Sequence, residues 1–124
     1  MSLCLCCSNL TYQICCEPFH KNYTIPVTPE AIMRSRYAAY ALHLIDYLIA
    51  TTHPDIRGLH DKKDIESWSK QNIWLKLEII SAINDKVEFK AYYQSDGTNF
   101  IHHENSTFKM ENKRWYYLSG EYFN

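Results

Sequence analysis

The spacing of hydrophobic residues along the chain changes from helical to alternating near residue 72. From Pro29 to Ala50 the apolar residues recur with the spacing of a helix face, which predicts one long helix. Thr28 suits the N-cap of this helix and Pro29 its first position, because a threonine oxygen accepts a free N–H and proline has none to satisfy. A mostly polar pattern over Asp61–Lys70 predicts a second, shorter helix.

The remaining sequence alternates between apolar and polar residues and is rich in β-branched and aromatic side chains, which is typical of strands. Turn signals at Asn84-Asp85, at Asp96-Gly97 and around Asn112 separate four such segments. The predicted strands are Ile73–Ala82, Lys86–Gln94, Thr98–Met110 and Arg114–Ser119. Helices followed by an antiparallel meander indicate an α+β fold, in which a cone-shaped, curved sheet of about four strands wraps around the long N-terminal helix.

Two polar residues are predicted to meet inside this cone. On a wheel of the long helix, Arg34 lies at the centre of the apolar arc and Arg36 lies on the other side. Alternation along the third strand places His102, Glu104 and Ser106 on its inner face. A buried arginine needs a partner, so Glu104 is the expected partner of Arg34. The pair is either a structural ion pair or the floor of a pocket in which Glu104 acts as an acid or base.

Length and composition predict a small globular protein with a single domain. The chain has 124 residues, 46% of them apolar and 22% charged, which suits a single domain with its own core. Aromatic residues reach 15%, which predicts a thick aromatic core or an aromatic-lined cavity. The formal net charge of −1 disfavours nucleic-acid binding, and no apolar run is long enough for a membrane span. With no secretory leader pattern, the protein is expected to be soluble and cytoplasmic. His53 and His103 are expected at the surface or in turns.

All five cysteines lie within the first sixteen residues. Cys4 and Cys6 are followed by the adjacent pair Cys15 and Cys16, and four thiolates in one short segment suit a tetrahedral Zn²⁺ ion. Four thiolates close the coordination shell to substrate, so this zinc would be structural. A redox-active or unligated cluster and a lipid-modified cysteine are the alternatives. An odd number of thiols with adjacent pairs disfavours a disulfide framework and favours a reducing compartment.

Several stretches together resemble one bacterial family. They are Cys4–Cys16, Met33–Tyr40, Asp46–Pro54, Trp74–Leu77, His103–Phe108 and Arg114–Gly120. In this order and spacing they are similar to YchJ-like proteins, which join a zinc-binding SEC-C motif to a domain resembling nuclear transport factor 2. The resemblance covers nearly the whole chain and implies a zinc knuckle over residues 1–22 and the cone-shaped domain over residues 23–124. It implies Cys4, Cys6, Cys15 and Cys16 as zinc ligands, and it implies no particular activity.

Two departures from the SEC-C pattern affect the expected function. Cys7 stands where a glycine usually follows the second ligand, so it is expected to strain the turn or to compete as a ligand. The lysines that usually precede the last cysteine pair are absent, which removes a basic surface. The preferred hypothesis is a non-catalytic adaptor whose zinc knuckle docks a protein partner. The alternative is a small-molecule-binding protein, or an enzyme of isomerase or hydrolase type, that uses Arg34, His102, Glu104 and Ser106.

Overall fold

The structure is a computed structural model that describes residues 2–123. A 3-10 turn at Tyr12–Ile14 and five helices precede the strands. The helices are α1 (Glu17–His20), α2 (Pro29–Leu42), α3 (Ile45–Ala50), α4 (Pro54–Arg57) and α5 (Lys62–Gln71). The strands are β1 (Ile73–Ile83), β2 (Lys86–Ser95), β3 (Thr98–Glu111) and β4 (Arg114–Tyr122). Within residues 2–123, no helix combines the length and the apolar character that crossing a bilayer requires.

The four strands form one antiparallel sheet in the order β1-β2-β3-β4. The second and third hairpins each turn on two residues with positive φ, Asp96-Gly97 and Asn112-Lys113, as type I′ turns require. The α+β class and the antiparallel sheet of four strands are confirmed, and the strand ends lie within three residues of the predicted ones. Local alternation and turn chemistry were therefore sufficient to define this half of the fold.

Helix α2 lies against the inner face of the sheet. Its side chains Ile32, Met33 and Tyr37 form the main core with inward residues of β1, β2 and β3. The sheet residues of this core are Leu77, Val87, Phe89, Ala91 and Phe108. Two register shifts in β1 mark bulges, and bulges increase the bend and twist of a strand. The sheet can thereby curve around the helix that it covers.

The predicted long helix is in fact two helices, α2 and α3. His43 adopts a left-handed conformation, with φ 62°, and the Leu44 N–H bonds to the Ala39 carbonyl over 2.8 Å. Helices often end in this way with glycine, and no glycine marks the position here. Ser69 of α5 stabilises the turn, because its hydroxyl donates to the Tyr40 carbonyl at 2.6 Å and accepts from His43 Nδ1 at 2.9 Å.

Aromatic side chains pack against one another between α2, α5 and the β1–β2 hairpin. Trp74 lies at the centre, with its ring 5.6 to 5.9 Å from the rings of Tyr37, Tyr40, Trp68 and Tyr93. Tilted and edge-to-face contacts at such distances are favourable arrangements for aromatic pairs. The high aromatic content therefore contributes to core packing at this end of the molecule.

His53 lies in a turn, but it is buried, at 1% relative exposure. It caps α4, because its Nδ1 accepts the Asp55 N–H at 3.1 Å. Its Nε2 lies 2.7 Å from Glu111 Oε2, at an angle outside hydrogen-bond geometry. Backbone hydrogen bonds of 2.8 Å join both Thr51 and His53 to Tyr117 of β4. The turn is thus held against the edge of the sheet, which is why a turn histidine is hidden from solvent.

Candidate functional site

The cysteine loop, residues 2–16, folds back on itself as a small hairpin. Leu3 pairs with Thr11 in an antiparallel bridge, and the Cys4 N–H bonds to the Leu10 carbonyl at 2.8 Å. Successive residues of an extended segment point to opposite sides. Cys4 and Cys6 accordingly turn inward and are buried, whereas Leu3 remains exposed.

The four predicted metal ligands meet in one place. The Sγ atoms of Cys4, Cys6, Cys15 and Cys16 all lie within 4.8 Å of one another. Two of the separations are 3.5 Å, from Cys6 to Cys15, and 3.9 Å, from Cys15 to Cys16. Four sulfurs at a Zn–S distance of about 2.3 Å in a tetrahedron lie about 3.8 Å apart. The donor set therefore fits one tetrahedral metal ion that prefers thiolate ligands.

Bringing four thiols together makes their ionisation interdependent. The pKa of Cys6 is lowered, because the Cys16 and Cys4 thiols donate hydrogen bonds to its thiolate. The pKa of Cys16 is raised in turn, because its contacts with Cys4 and Cys6 favour its protonated form. Ionisation of Cys6 thus opposes ionisation of the Cys16 thiol beside it, because like charges repel. A divalent cation removes this repulsion, since it binds the thiolate form.

Cys7 lies outside this cluster. Its φ is 65°, in the left-handed region that glycine adopts without strain. Its side chain is exposed, and its Sγ accepts the Leu77 N–H of β1 at 3.4 Å. The residue at the usual glycine position therefore keeps the tight turn, and its sulfur contacts the edge of the sheet.

Arg34 fastens the cysteine loop to α2. Its Nη1 donates to the Cys6 carbonyl at 2.7 Å, and its Nε donates to Glu30 at 2.9 Å. The predicted pairing of Arg34 with Glu104 is therefore wrong, and Arg34 does not contribute to a polar site inside the sheet. A wheel drawn for a continuous helix includes the residues of α3, and these displace the apparent centre of the apolar arc.

A second link between the loop and α2 runs through His20. Its Nε2 lies 2.8 Å from the Ser35 carbonyl, which can only accept, so Nε2 carries the proton. Its Nδ1 then accepts from the Tyr12 hydroxyl, also at 2.8 Å. Burial lowers the pKa of His20, which favours this neutral form. The cysteine loop is thus connected by hydrogen bonds to the middle of α2.

Glu104 is the centre of a second polar cluster, on the inner face of β3. It is buried, at 4% exposure, and His102 and Ser106 lie on the same face. The carboxylate accepts from the Ser106 hydroxyl at 2.5 Å, from His102 Nε2 at 2.7 Å and from the Tyr117 hydroxyl at 3.2 Å. Gly120 of β4 leaves room for this group, because a Cβ there would collide with the carboxylate.

These hydrogen bonds set the charge of Glu104. Burial alone would raise its pKa, but the donors His102, Ser106 and Tyr117 outweigh burial and leave the pKa below the ordinary value of 4.5. The side chain is therefore ionised at neutral pH. An ionised carboxylate can only accept, which matches the three donors that surround it.

The arginine that faces the body of the protein is Arg36, at 7% exposure. Its Nη1 donates to the Leu48 carbonyl at 2.9 Å and to the Thr51 hydroxyl at 2.7 Å. Its guanidinium lies 4.8 Å from the centre of the Tyr117 ring, a cation–π contact. Tyr117 thus contacts Arg36 with its ring and Glu104 with its hydroxyl. The sequence predicted a direct ion pair between Arg34 and Glu104. In the structure, Tyr117 instead links Glu104 to Arg36.

Arg36 was missed because the end of the helix was misplaced. At about 100° per residue, Arg36 lies about 160° from Arg34 on the wheel. In a helix that ends at Leu42, the large residues Ile32 and Met33 lie on either side of Arg36. Weighting side chains by size within the shorter helix would therefore have placed Arg36 inside.

A cavity of about 50 Å³ lies away from both clusters. It is bounded by α3, β4 and the segment that follows α1, and Glu104 is not among its lining residues. Apolar rings supply much of its wall, including Phe19, Tyr47 and Trp115. A volume of this size holds a few water molecules rather than a metabolite.

Comparison with known proteins connects this geometry to a family. The family model described as the middle, NTF2-like domain of YchJ matches residues 28–120. The chain belongs to the YchJ-like family. A UPF0225 protein of Actinobacillus succinogenes is 42% identical over 96% of this chain and 81% of its own length. A UPF0225 protein of Vibrio vulnificus is 41% identical over 96% of this chain and 74% of its own. The family is uncharacterised, so these relatives assign no activity.

Two solved structures are similar to this YchJ-like chain over nearly its whole length. The solution structure of RPA3114, a SEC-C motif containing protein from Rhodopseudomonas palustris, is 38% identical, with a TM-score of 0.89 and 98% of each chain covered. The crystal structure of a SEC-C motif containing protein from Psychrobacter arcticus is 35% identical, with a TM-score of 0.83 over 94% of this chain and 80% of that one. At 98% coverage, the similarity to RPA3114 extends over most of the cysteine loop as well as the helices and the sheet.

Proposed function

We propose that this YchJ-like chain is a non-catalytic, cytoplasmic adaptor whose cysteine loop, stabilised by a structural zinc ion, docks a protein partner. The observation that carries the proposal is a concentration of exposed aliphatic side chains on that loop, which we call the docking surface. It consists of Leu3, Leu5, Leu10 and Ile14, which are 58%, 47%, 48% and 68% exposed. Apolar groups concentrated on one short segment are typical of interaction sites.

The loop presents this surface rigidly. Its interior is occupied by the cysteines, so the aliphatic side chains have no core of their own to enter. Three hydrogen-bonded contacts fix the loop to the rest of the described chain, residues 17–123, which we call the body. They run from Arg34 to Cys6, from Leu77 to Cys7 and through His20. A segment that is already ordered loses less conformational entropy when it binds, and this supports a role in recognition.

The charge of the loop indicates the chemistry of the partner. Residues 2–16 contain no Asp, Glu, Lys or Arg, so their charge is that of the metal site. One Zn²⁺ ion and four thiolates sum to a charge of about −2. A partner segment with aliphatic side chains flanked by Lys or Arg would complement both the docking surface and this charge.

The test is binding of labelled peptides to zinc-loaded protein. Two peptide pools share their aliphatic content and differ in carrying either Lys and Arg or Asp and Glu. We expect the basic pool to bind at least about tenfold more tightly, and Leu5→Ser/Ile14→Ser to abolish that binding. The matched control is Leu59→Ser/Ile83→Ser, which removes aliphatic groups that are 82% and 65% exposed on the body. Equal binding of the two pools, or equal loss in the control, would contradict the proposal.

A second candidate function is binding or turnover of a small molecule near Glu104. His102 favours it, because its side chain is 30% exposed while its Nε2 bonds to the buried carboxylate. The support is weaker than for docking, because Glu104 already serves three donors of the protein. It lines neither the cavity of about 50 Å³ nor a second one of about 290 Å³ between the start of α2 and the end of β1. A metabolite that raises the melting temperature of the wild type but not of His102→Gln would favour this second function.

A further inference from the structure

Cys15 differs from the other three ligands in its exposure. Cys4, Cys6 and Cys16 are buried, at 4%, 0% and 1% exposure, whereas Cys15 is only partly buried. The cause is its position at the end of the 3-10 turn, directly after the exposed Ile14. One side of the metal site therefore comes close to the surface of the molecule.

The Cys15 sulfur contacts two other ligand sulfurs and one hydroxyl group. Its Sγ lies 3.5 Å from that of Cys6 and 3.9 Å from that of Cys16. The Ser8 hydroxyl lies 3.1 Å from it, and Ser8 is itself partly exposed. When Cys15 is a thiolate it has no proton to give, so Ser8 is the donor of this hydrogen bond. A serine hydroxyl is thus the polar group that shields the exposed ligand.

We propose that Cys15 is a modification site, the ligand at which soft carbon electrophiles attack the metal-bound cluster. The thiolate is the nucleophilic form of cysteine, and its reactivity follows its exposure. In the reaction an electron pair of the Cys15 sulfur forms a bond to carbon, and the leaving group departs with the electrons of its own bond. The product is a thioether without negative charge, which is a weaker ligand for zinc than a thiolate.

The inference rests on the metal-binding part of the proposed function, because a bound cation keeps all four sulfurs as thiolates together. Loss of one thiolate ligand opens the site. Three thiolates would hold the ion less tightly than four, so alkylation would cause zinc release and loss of order in the docking surface. Recognition by the loop would therefore be sensitive to alkylating compounds at one defined sulfur.

The test uses zinc-loaded Cys7→Ser protein, since the exposed Cys7 would otherwise consume the reagent. Limiting iodoacetamide is added, zinc release is followed with a chromogenic chelator, and tandem mass spectrometry locates the label and separates Cys15 from Cys16. We expect Cys15 to be labelled at least about tenfold faster than each buried ligand, with one zinc ion released per labelled Cys15. Equal labelling of the four ligands, or earlier labelling of a buried one, would overturn the inference.

A second variant tests the shielding by Ser8. Ser8→Ala should raise the labelling rate of Cys15 several-fold, because it removes both the hydrogen bond to the sulfur and part of its cover. The relative labelling rates of the three buried ligands should not change. An unchanged rate at Cys15 would refute the role of Ser8. Protein that takes up no zinc would overturn the proposed function together with this inference. Zinc-loaded protein that is labelled first at another ligand would overturn this inference alone.

Discussion

The cysteine loop and the Glu104 cluster are two polar sites built on different principles. In the loop, four sulfurs converge from one short stretch of sequence, and the loop packs little apolar surface around them. Around Glu104, the donors come from β3 and β4, and the carboxylate lies beside the main core. The ligands of the first site are neighbours in sequence, and the proposed zinc ion would join them. The second site forms only when the folded sheet brings β3 and β4 side by side.

The two sites are therefore vulnerable to different kinds of damage. A site assembled by local sequence can be lost without the rest of the molecule, because its ligands do not hold the sheet together. A site assembled by the sheet shares its stability with the sheet, so damage there lowers the stability of the whole body. The experiments below separate the two cases.

Removal of the metal should have the largest effect, and the effect should be confined to the loop. Cys16→Ser deletes a buried ligand, and structural zinc contributes about 10–16 kcal/mol of binding free energy in small zinc peptides. We expect the variant to bind no zinc at neutral pH and its amides in residues 2–16 to exchange rapidly with deuterium. Amides of the central strands β2 and β3 should remain protected, which hydrogen-exchange mass spectrometry measures.

The tryptophans provide the control for this experiment. Trp68, Trp74 and Trp115 all lie in the body, so their fluorescence reports unfolding of the sheet and not of the loop. A cooperative transition with a nearly unchanged midpoint in Cys16→Ser would support independent loss of the loop. Collapse of the tryptophan transition would show instead that the contacts of Arg34 and His20 make loop and body one unit.

The same contrast explains how much could be predicted from the sequence. Strand positions follow from alternation within each strand, and the cysteine cluster follows from spacing within one segment, so both signals are local. The identity of the buried arginine is not local. It depends on where α2 ends, and that end is stabilised by Ser69, which lies 29 residues beyond Tyr40, the residue that it bonds. Without a glycine at His43, a continuous helix was the natural prediction.

Long-range contacts limited the prediction of the loop as well. The sequence predicts strain or competing ligation at Cys7, but not its hydrogen bond from Leu77, which lies 70 residues away. The contact between Arg34 and the Cys6 carbonyl joins residues 28 positions apart, and the sequence did not predict it either. Such contacts depend on how the loop lies against the body, which no spacing rule encodes.

Replacing Glu104 should destabilise the body as a whole. Glu104→Ala leaves the donors of His102, Ser106 and Tyr117 without their acceptor, and the Ser106 hydroxyl is fully buried, so we expect the free energy of unfolding to fall by on the order of 3 kcal/mol. Glu104→Gln preserves the volume but offers only one acceptor oxygen beside an NH₂ group, so its loss should be smaller. Urea unfolding followed by tryptophan fluorescence measures both changes.

The outer face of the sheet supplies a matched control. His103 bonds to Glu88 at 2.8 Å, nearly the length of the bond from His102 to Glu104, but the Glu88 side chain is 28% exposed. Glu88→Gln should change the free energy of unfolding by less than about 1 kcal/mol, because solvent compensates an exposed carboxylate. If Glu104→Gln and Glu88→Gln lowered the free energy of unfolding equally, burial of Glu104 would not be the reason why its pair with His102 stabilises the protein.

Acid should remove part of the same stabilisation. The pKa of Glu104 lies lower in the folded protein than its ordinary value of 4.5. Its contribution is therefore complete above that pH and is lost as the pH falls through the folded pKa. Zinc bound as proposed would also be released in acid, so the wild type is compared with Glu104→Gln, which shares that effect. The difference between their unfolding midpoints should shrink between pH 6 and about pH 3, and a constant difference would contradict the linkage.

The smallest expected effect lies at Cys7, where the loop meets the sheet. Left-handed backbone costs a residue with a Cβ about 1 kcal/mol, so Cys7→Gly should relieve strain, whereas Cys7→Ala keeps the strain and loses only the sulfur. We expect Cys7→Gly to hold zinc about fivefold more tightly than Cys7→Ala in competition with a chelator, the equivalent of that strain. Any difference between Cys7→Ala and the wild type then measures the two contacts of the sulfur together, with the Leu77 N–H and with the Leu5 carbonyl. If Cys7→Gly bound zinc more weakly than Cys7→Ala, the turn would not be strained, and the loop would be held by its contact with β1 rather than by its own geometry.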